Sequence, residues 1–93
     1  MRRSAKKDDN HNEIVKNLKP YGFSIMDTYQ LGDDCPDFIC ALHGETAVVE
    51  VKSKTGKLTK GQVDFMLLWR GKHIVARSHY DVLKAFGIKI TEV

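Results

Sequence analysis

Proline and cysteine occur twice each in these 93 residues and tryptophan once. Apolar runs such as Phe65–Trp69 and Ala47–Val49 stop far short of the roughly 20 residues that span a bilayer, which excludes a membrane helix. The two thiols, Cys35 and Cys40, are too few for a disulfide framework. With His43 they imitate half a zinc site, but no second ligand pair of finger-like spacing follows. The chain has no glycine-rich phosphate loop and no nucleophile elbow, which removes the common nucleotide-dependent and serine-hydrolase designs. It also has no helix-turn-helix or finger pattern for reading base sequence. The basic start, Met1 to Lys7, runs into Asp8 and Asp9 rather than an apolar stretch, so it does not read as a secretory signal. A cytosolic protein with reduced thiols is the expectation.

What is present describes one small domain. Hydrophobic residues make up 42% and charged residues 29%, the proportions of an ordinary globular chain. Residues 1–9 read as a basic, polar, flexible tail, and 10–93 as a single folded unit. The net charge is +3, and its placement matters more than its size. Lys52, Lys54, Lys57 and Lys60 crowd one short stretch, and Arg2, Arg3, Lys6 and Lys7 crowd the start. Such runs serve either as solvated surface or as a polyanion-binding face.

Asn10-His-Asn-Glu13 has the form of a capping box, and Ile14 and Leu18 give the helical stripe of a first helix, His11 to Lys19, stopped by Pro20. Phe23 to Gln30 reads as a strand, Asp37 to Leu42 as a second, and Thr46 to Ser53 as a third, with His43-Gly44-Glu45 as the turn between the last two. Thr59-Lys-Gly-Gln62 is another capping box, opening a helix to Arg70 whose wide apolar surface makes it the expected main packing partner of the sheet. Lys72 to Arg77 forms a fourth strand, and Ser78 caps a last helix ending at Gly87. The order α-β-β-β-α-β-α, with an antiparallel meander joined by a helical crossover to a further strand, predicts an α/β fold with a mixed central sheet.

One strand departs from simple patterning. Side chains two apart on a strand share a face at about 6.6 Å, so Glu50 and Lys52 are neighbours while Val49 and Val51 face the other way. An exposed pair of this kind adds only about 0–1 kcal/mol and is explicable by solubility alone. The hairpin changes its meaning, because Asp37 opens the neighbouring antiparallel strand and lies roughly opposite. Two converging carboxylates resist ionisation unless a cation lies between them. Oxygen-only ligands suit Mg²⁺ or Mn²⁺ with water and phosphate completing the shell. An adjacent ammonium, Lys52, suits a reaction in which water attacks phosphorus.

Pro36-Asp37, Glu50-Val51-Lys52, Gln62 on the next helix and Glu13 on the first together resemble the PD-(D/E)xK nuclease superfamily. The segment Lys57-Leu-Thr-Lys-Gly-Gln62 is similar to that of stand-alone VRR-NUC nucleases of phages and bacteria. The resemblance spans Asn10 to about Leu83. It implies a restriction-endonuclease-like core with Mg²⁺ or Mn²⁺ held by Asp37, Glu50 and the backbone carbonyl of Val51. Glu13 would stand at the edge of the metal site, Lys52 would act on the water, and Gln62 would orient Lys52 or the substrate. The implied activity is structure-specific cleavage of branched DNA, such as Holliday junctions or flaps, by a homodimer without organic cofactor, in the cytoplasm of a bacterium or a phage-infected host.

The nucleic-acid contacts expected are Lys54, Lys57, Lys60, Arg3 and Lys7. Cys35 departs from the small residue common before Pro-Asp in relatives. Glu13 and Gln62 also fit helix capping alone. A DNA-binding module of a replication or repair assembly that has lost catalysis is the alternative. The scattered histidines read as surface or partly packed side chains, and Tyr29 as either core or groove.

Overall fold

In the computed structural model, residues 7–32 and 34–90 are described. The three helices are α1 (His11–Leu18), α2 (Lys60–Leu68) and α3 (His79–Ala85), and the four strands are β1 (Ser24–Asp27), β2 (Phe38–Leu42), β3 (Glu45–Val51) and β4 (Lys72–Ala76). They form one sheet in the order β1-β2-β3-β4, antiparallel as far as β3 and parallel between β3 and β4. The α/β class, the element order and the mixed sheet are those expected from sequence.

Local chemistry accounts for the boundaries. Pro20 cannot continue an α-helix, and α1 tightens there into a 3₁₀ turn, Lys19–Tyr21, closed by Gly22 at φ +96°. The two-residue link from β2 to β3 has positive φ at both His43 (53°) and Gly44 (82°), the conformation that matches strand twist in a tight hairpin. It fixes the register Leu42↔Glu45 through Phe38↔Val49. The first strand is shorter than its β-rich sequence suggests: after Asp27 the chain enters a 3₁₀ turn, Tyr29–Leu31. Tyr29 there is half-buried, with its ring edge-on to His11.

The core lies on one face of the sheet. Phe38, Cys40, Ala47, Val49, Val51, Ile74 and Ala76 meet Ile14 and Leu18 of α1 and Val82 and Leu83 of α3. Each Val, Leu, Ile or Phe among them contributes about 1.5–3 kcal/mol by leaving water. The expectation that α2 is the main packing partner is overturned: none of its residues is buried, and Leu67, Leu68 and the following Trp69 are 73%, 79% and 42% exposed. Its apolar residues are numerous but lie all round the helix, and α1 and α3 already cover the face that carries the valines. Both cysteines are free. No helix among the described residues is long and apolar enough to cross a membrane.

The capping box expected at Asn10 is also absent. Asn10 has helical backbone angles and its side chain makes no cap bond. From that backbone it reaches across the fold instead, donating from Nδ2 to the carbonyls of Lys52 and Arg77, 3.1 Å each.

Candidate acid-pair cleft

The hairpin register carries the site. Phe38 pairs with Val49, so Asp37, just before Phe38, and Glu50, just after Val49, stand at the same end of two adjacent strands. Asp37 is fixed through its backbone: its N–H donates to the Val49 carbonyl, and its carbonyl accepts from Thr28 N–H, both at 2.9 Å. Its Oδ2 accepts from the Val51 N–H at 2.6 Å. The Thr28 hydroxyl donates to the Pro36 carbonyl at 2.5 Å, which pins the Pro-Asp step from its other side.

Glu50 projects from the face opposite Val49 and Val51, and α2 reaches it there. Gln62 donates from Nε2 to Glu50 Oε1 at 2.7 Å. The same amide's Oε1 accepts from Thr59 N–H at 2.9 Å, and Thr59 Oγ1 accepts from Gln62 N–H at 3.2 Å. Gln62 is therefore both a capping residue and a ligand of Glu50. The resemblance had it orient Lys52 or substrate; its amide orients Glu50. Thr59 also donates to Asp34 Oδ1 at 3.2 Å, tying the loop that leads into Asp37 to the start of α2. Gly61 leaves room for this, since a Cβ there would fall 1.9 Å from Asp34 Oδ2.

Asp37 and Glu50 are 8% and 3% exposed. Burial, and then the charge of Asp37, push Glu50 up to about 8. Burial raises Asp37 as well, against the Val51 N–H bond that favours its ionised form. The two carboxyls are close enough to share a proton. Lys52 lowers Glu50 without cancelling the rise, and Asp8 adds to it. Neither acid belongs to an ion pair among the described residues.

The pair opens into a cleft of about 640 Å³, which Lys52 and Lys54 also line. So do Lys7, Asp8 and Asp9, residues the sequence assigns to a tail, together with Arg77. Lys7 Nζ donates to Asn12 Oδ1 at 2.9 Å and stands 4.9 Å from the Tyr29 ring centre.

Other expected site residues lie elsewhere. Glu13 is exposed and does not line the cleft; it lines a small adjoining cavity with Asn17 and His79, which shares Asn10 and Arg77 with the cleft. Lys57 is exposed and outside the cleft, and Lys60 pairs with Asp64 at 3.0 Å one helical turn on. Arg3 lies outside the described residues. The Val51 peptide engages Asp37 through its N–H; a ligand role for its carbonyl rests on the resemblance.

His11, expected at or near the surface, is fully buried. Its Nε2 is 2.8 Å from Asp27 Oδ1, and its ring meets Tyr29 and Phe38 edge-on. Cys35 borders the pair, its thiol raised first by burial and then by Glu50 and Asp37, the opposite of an activated nucleophile.

The residues present fit a hard divalent cation. Two buried carboxyls, both raised and, among the described residues, with no cationic side chain in an ion pair with them, form a charge state that such an ion relieves. Their all-oxygen set suits Mg²⁺ or Mn²⁺. Among the described residues no three His, Cys, Asp or Glu side chains converge as a metal cage, so water or phosphate would complete the shell. Arg77 was not singled out from sequence, and Asn10 only as a helix cap, because what fixes them is a set of backbone carbonyls distant along the chain. The chain matches no family model and no curated protein.

Proposed function

We propose that the chain is a metal-dependent nuclease of the PD-(D/E)xK type, with a restriction-endonuclease-like core, hydrolysing phosphodiester bonds in branched DNA. The observation that supports this best is the buried Asp37–Glu50 pair, both raised by burial and Glu50 further by the charge of Asp37, and open to a cleft that Lys52 and Lys54 line. Without a cation the pair keeps a proton at neutral pH, and dedicated hydrogen bonds from Val51 and Gln62 fix both carboxyls where a metal could replace that proton.

Asp37 and Glu50 would hold Mg²⁺ or Mn²⁺, which supplies charge neutralisation and Lewis acidity to a phosphoryl oxygen. The rest falls to the chain's own groups. Gln62 keeps Glu50 Oε1 fixed, so the carboxylate need not reorganise on binding. Lys52, whose charge is felt at Glu50, offers an ammonium to the attacking water and to charge developing on a phosphoryl oxygen. A homodimer belongs to the same proposal, two sites about a two-fold axis suiting two strands of a junction.

The test is incubation of the purified chain with four-way junction, flap, splayed and plain duplex DNA in Mg²⁺ and in Mn²⁺. Cleavage of a branched substrate that disappears in Glu50→Ala and Lys52→Ala is the expected result. Binding of every substrate without cleavage in either metal would leave the catalytically silent DNA-binding module instead.

A further inference from the structure

Arg77 follows the last residue of β4 and is held from several directions. Its N–H donates to Asp81 Oδ2 at 2.8 Å, and its carbonyl accepts from Asn10 Nδ2 at 3.1 Å. Its Nη1 donates to the carbonyls of Ser53 at 2.5 Å and Gly56 at 2.7 Å. Those carbonyls belong to the turn that follows Lys52, and the Lys52 carbonyl is itself tied to Asn10. The guanidinium has thus already given up its rotamer freedom, so gripping a ligand would cost it little more.

Among the described residues the Nε and Nη2 hydrogens have no acceptor, and the guanidinium is in no ion pair. Arg77 is exposed and lines the acid-pair cleft. Net charge alone does not make that cleft an anion site, because Lys7, Lys52, Lys54 and Arg77 share it with Asp8, Asp9, Asp37 and Glu50. Apart from a metal at the acid pair, an anion there needs a directional donor. A planar guanidinium meets a phosphate through two parallel N–H bonds, which an ammonium cannot do.

We infer that Arg77 binds a backbone phosphate of the nucleic acid in this cleft through Nε and Nη2, while Nη1 keeps the Ser53–Gly56 turn closed. The substrate class rests on the nuclease reading; the measurement below needs no cleavage.

Binding of a fluorescein-labelled four-way DNA junction is followed by anisotropy in Ca²⁺ over a series of salt concentrations, with thermal melting of each variant alongside. Arg77→Gln is expected to bind about tenfold more weakly and to lose about one unit from the slope of log affinity against log salt, the mark of one lost phosphate contact. Arg77→Lys should recover the slope but not the affinity. Lys84→Gln, an exposed lysine of α3 that lines neither cavity, should bind like wild type.

An Arg77→Gln chain with wild-type affinity and slope, whatever its melting temperature, makes Arg77 a clamp of the turn only and overturns the inference. If that variant does not fold, wild-type affinity in Arg77→Lys overturns the two-pronged grip. A wild-type chain that binds no junction overturns the nuclease reading and this inference with it, whereas wild-type cleavage with an unchanged Arg77→Gln slope overturns this inference alone.

Discussion

Gln62 Nε2 stands 2.7 Å from Glu50 Oε1 while Gln62 Oε1 accepts the N–H of Thr59. One amide thus closes the first turn of a helix and holds a buried acid, and neither use excludes the other. The start of α2 and the acid pair are consequently one mechanical unit, and a substitution at Gln62 reads out in both stability and activity.

Gln62→Ala removes a capping contact and leaves Glu50 without its donor, so a loss of about 1–3 kcal/mol in unfolding free energy is expected by urea denaturation. Gln62→Glu keeps an acceptor for Thr59 but turns a second carboxylate toward Glu50. It should be less stable than Gln62→Ala above neutral pH in the absence of metal, and the order should reverse when Mg²⁺ is added.

The acid pair gives stability a definite pH dependence. Glu50 binds its proton more tightly in the folded chain, near 8, than in the unfolded one, so between its ordinary range and 8 the folded state carries the extra proton. Stability then falls as pH rises through that window, by up to about 1.4 kcal/mol per pH unit, and is fully present only at its acid end. Melting temperatures recorded in chelator from pH 5 to pH 9 check this. Glu50→Gln should flatten the curve, and Mg²⁺ should restore most of what is lost at high pH in wild type but nothing in Glu50→Gln.

On the nuclease reading, Asp37→Asn, Glu50→Gln and Lys52→Ala should each lower junction cleavage by about a hundredfold or more, since each removes a charge that the proposed hydrolysis uses in its transition state. Glu13→Gln should cleave like wild type, because Glu13 is exposed and lines another cavity. Single-turnover rates at saturating enzyme separate the two groups of variants.

Leu68→Ser should change unfolding free energy by less than about 0.5 kcal/mol, as Leu68 is 79% exposed. Leu83→Ala, at 0%, should cost about 2–5 kcal/mol. If the proposed homodimer covers α2, Leu68→Glu gives a monomer by light scattering where wild type gives a dimer. A wild-type monomer at micromolar concentration removes the dimer from the reading.

The hairpin and its acids were legible in the sequence because their determinants are local. The sequence marks a turn at His43-Gly44-Glu45, one residue longer than the link that forms, and with either length the register places Asp37 near Glu50. The α2 interface was not legible, since counting apolar residues says how much a helix could bury but not whether a sheet face is free to receive it. Asn10 and Glu13 carry the letters of a capping box, yet a cap needs an extended backbone at its first residue, and Asn10 has a helical one. Arg77 could not be singled out because its anchors, Ser53 and Gly56, are defined only once β4 returns beside β3. His11 was misplaced for the same reason: its partner Asp27 and its aromatic neighbours arrive from other elements.

The bond from Asn10 to the ends of β3 and β4 lays the segment Lys7–Asn10 along the rim of the cleft. On the proposed reading that rim is the doorway a polymer would cross, so the hold of Asn10 on two strand ends also frames the entrance.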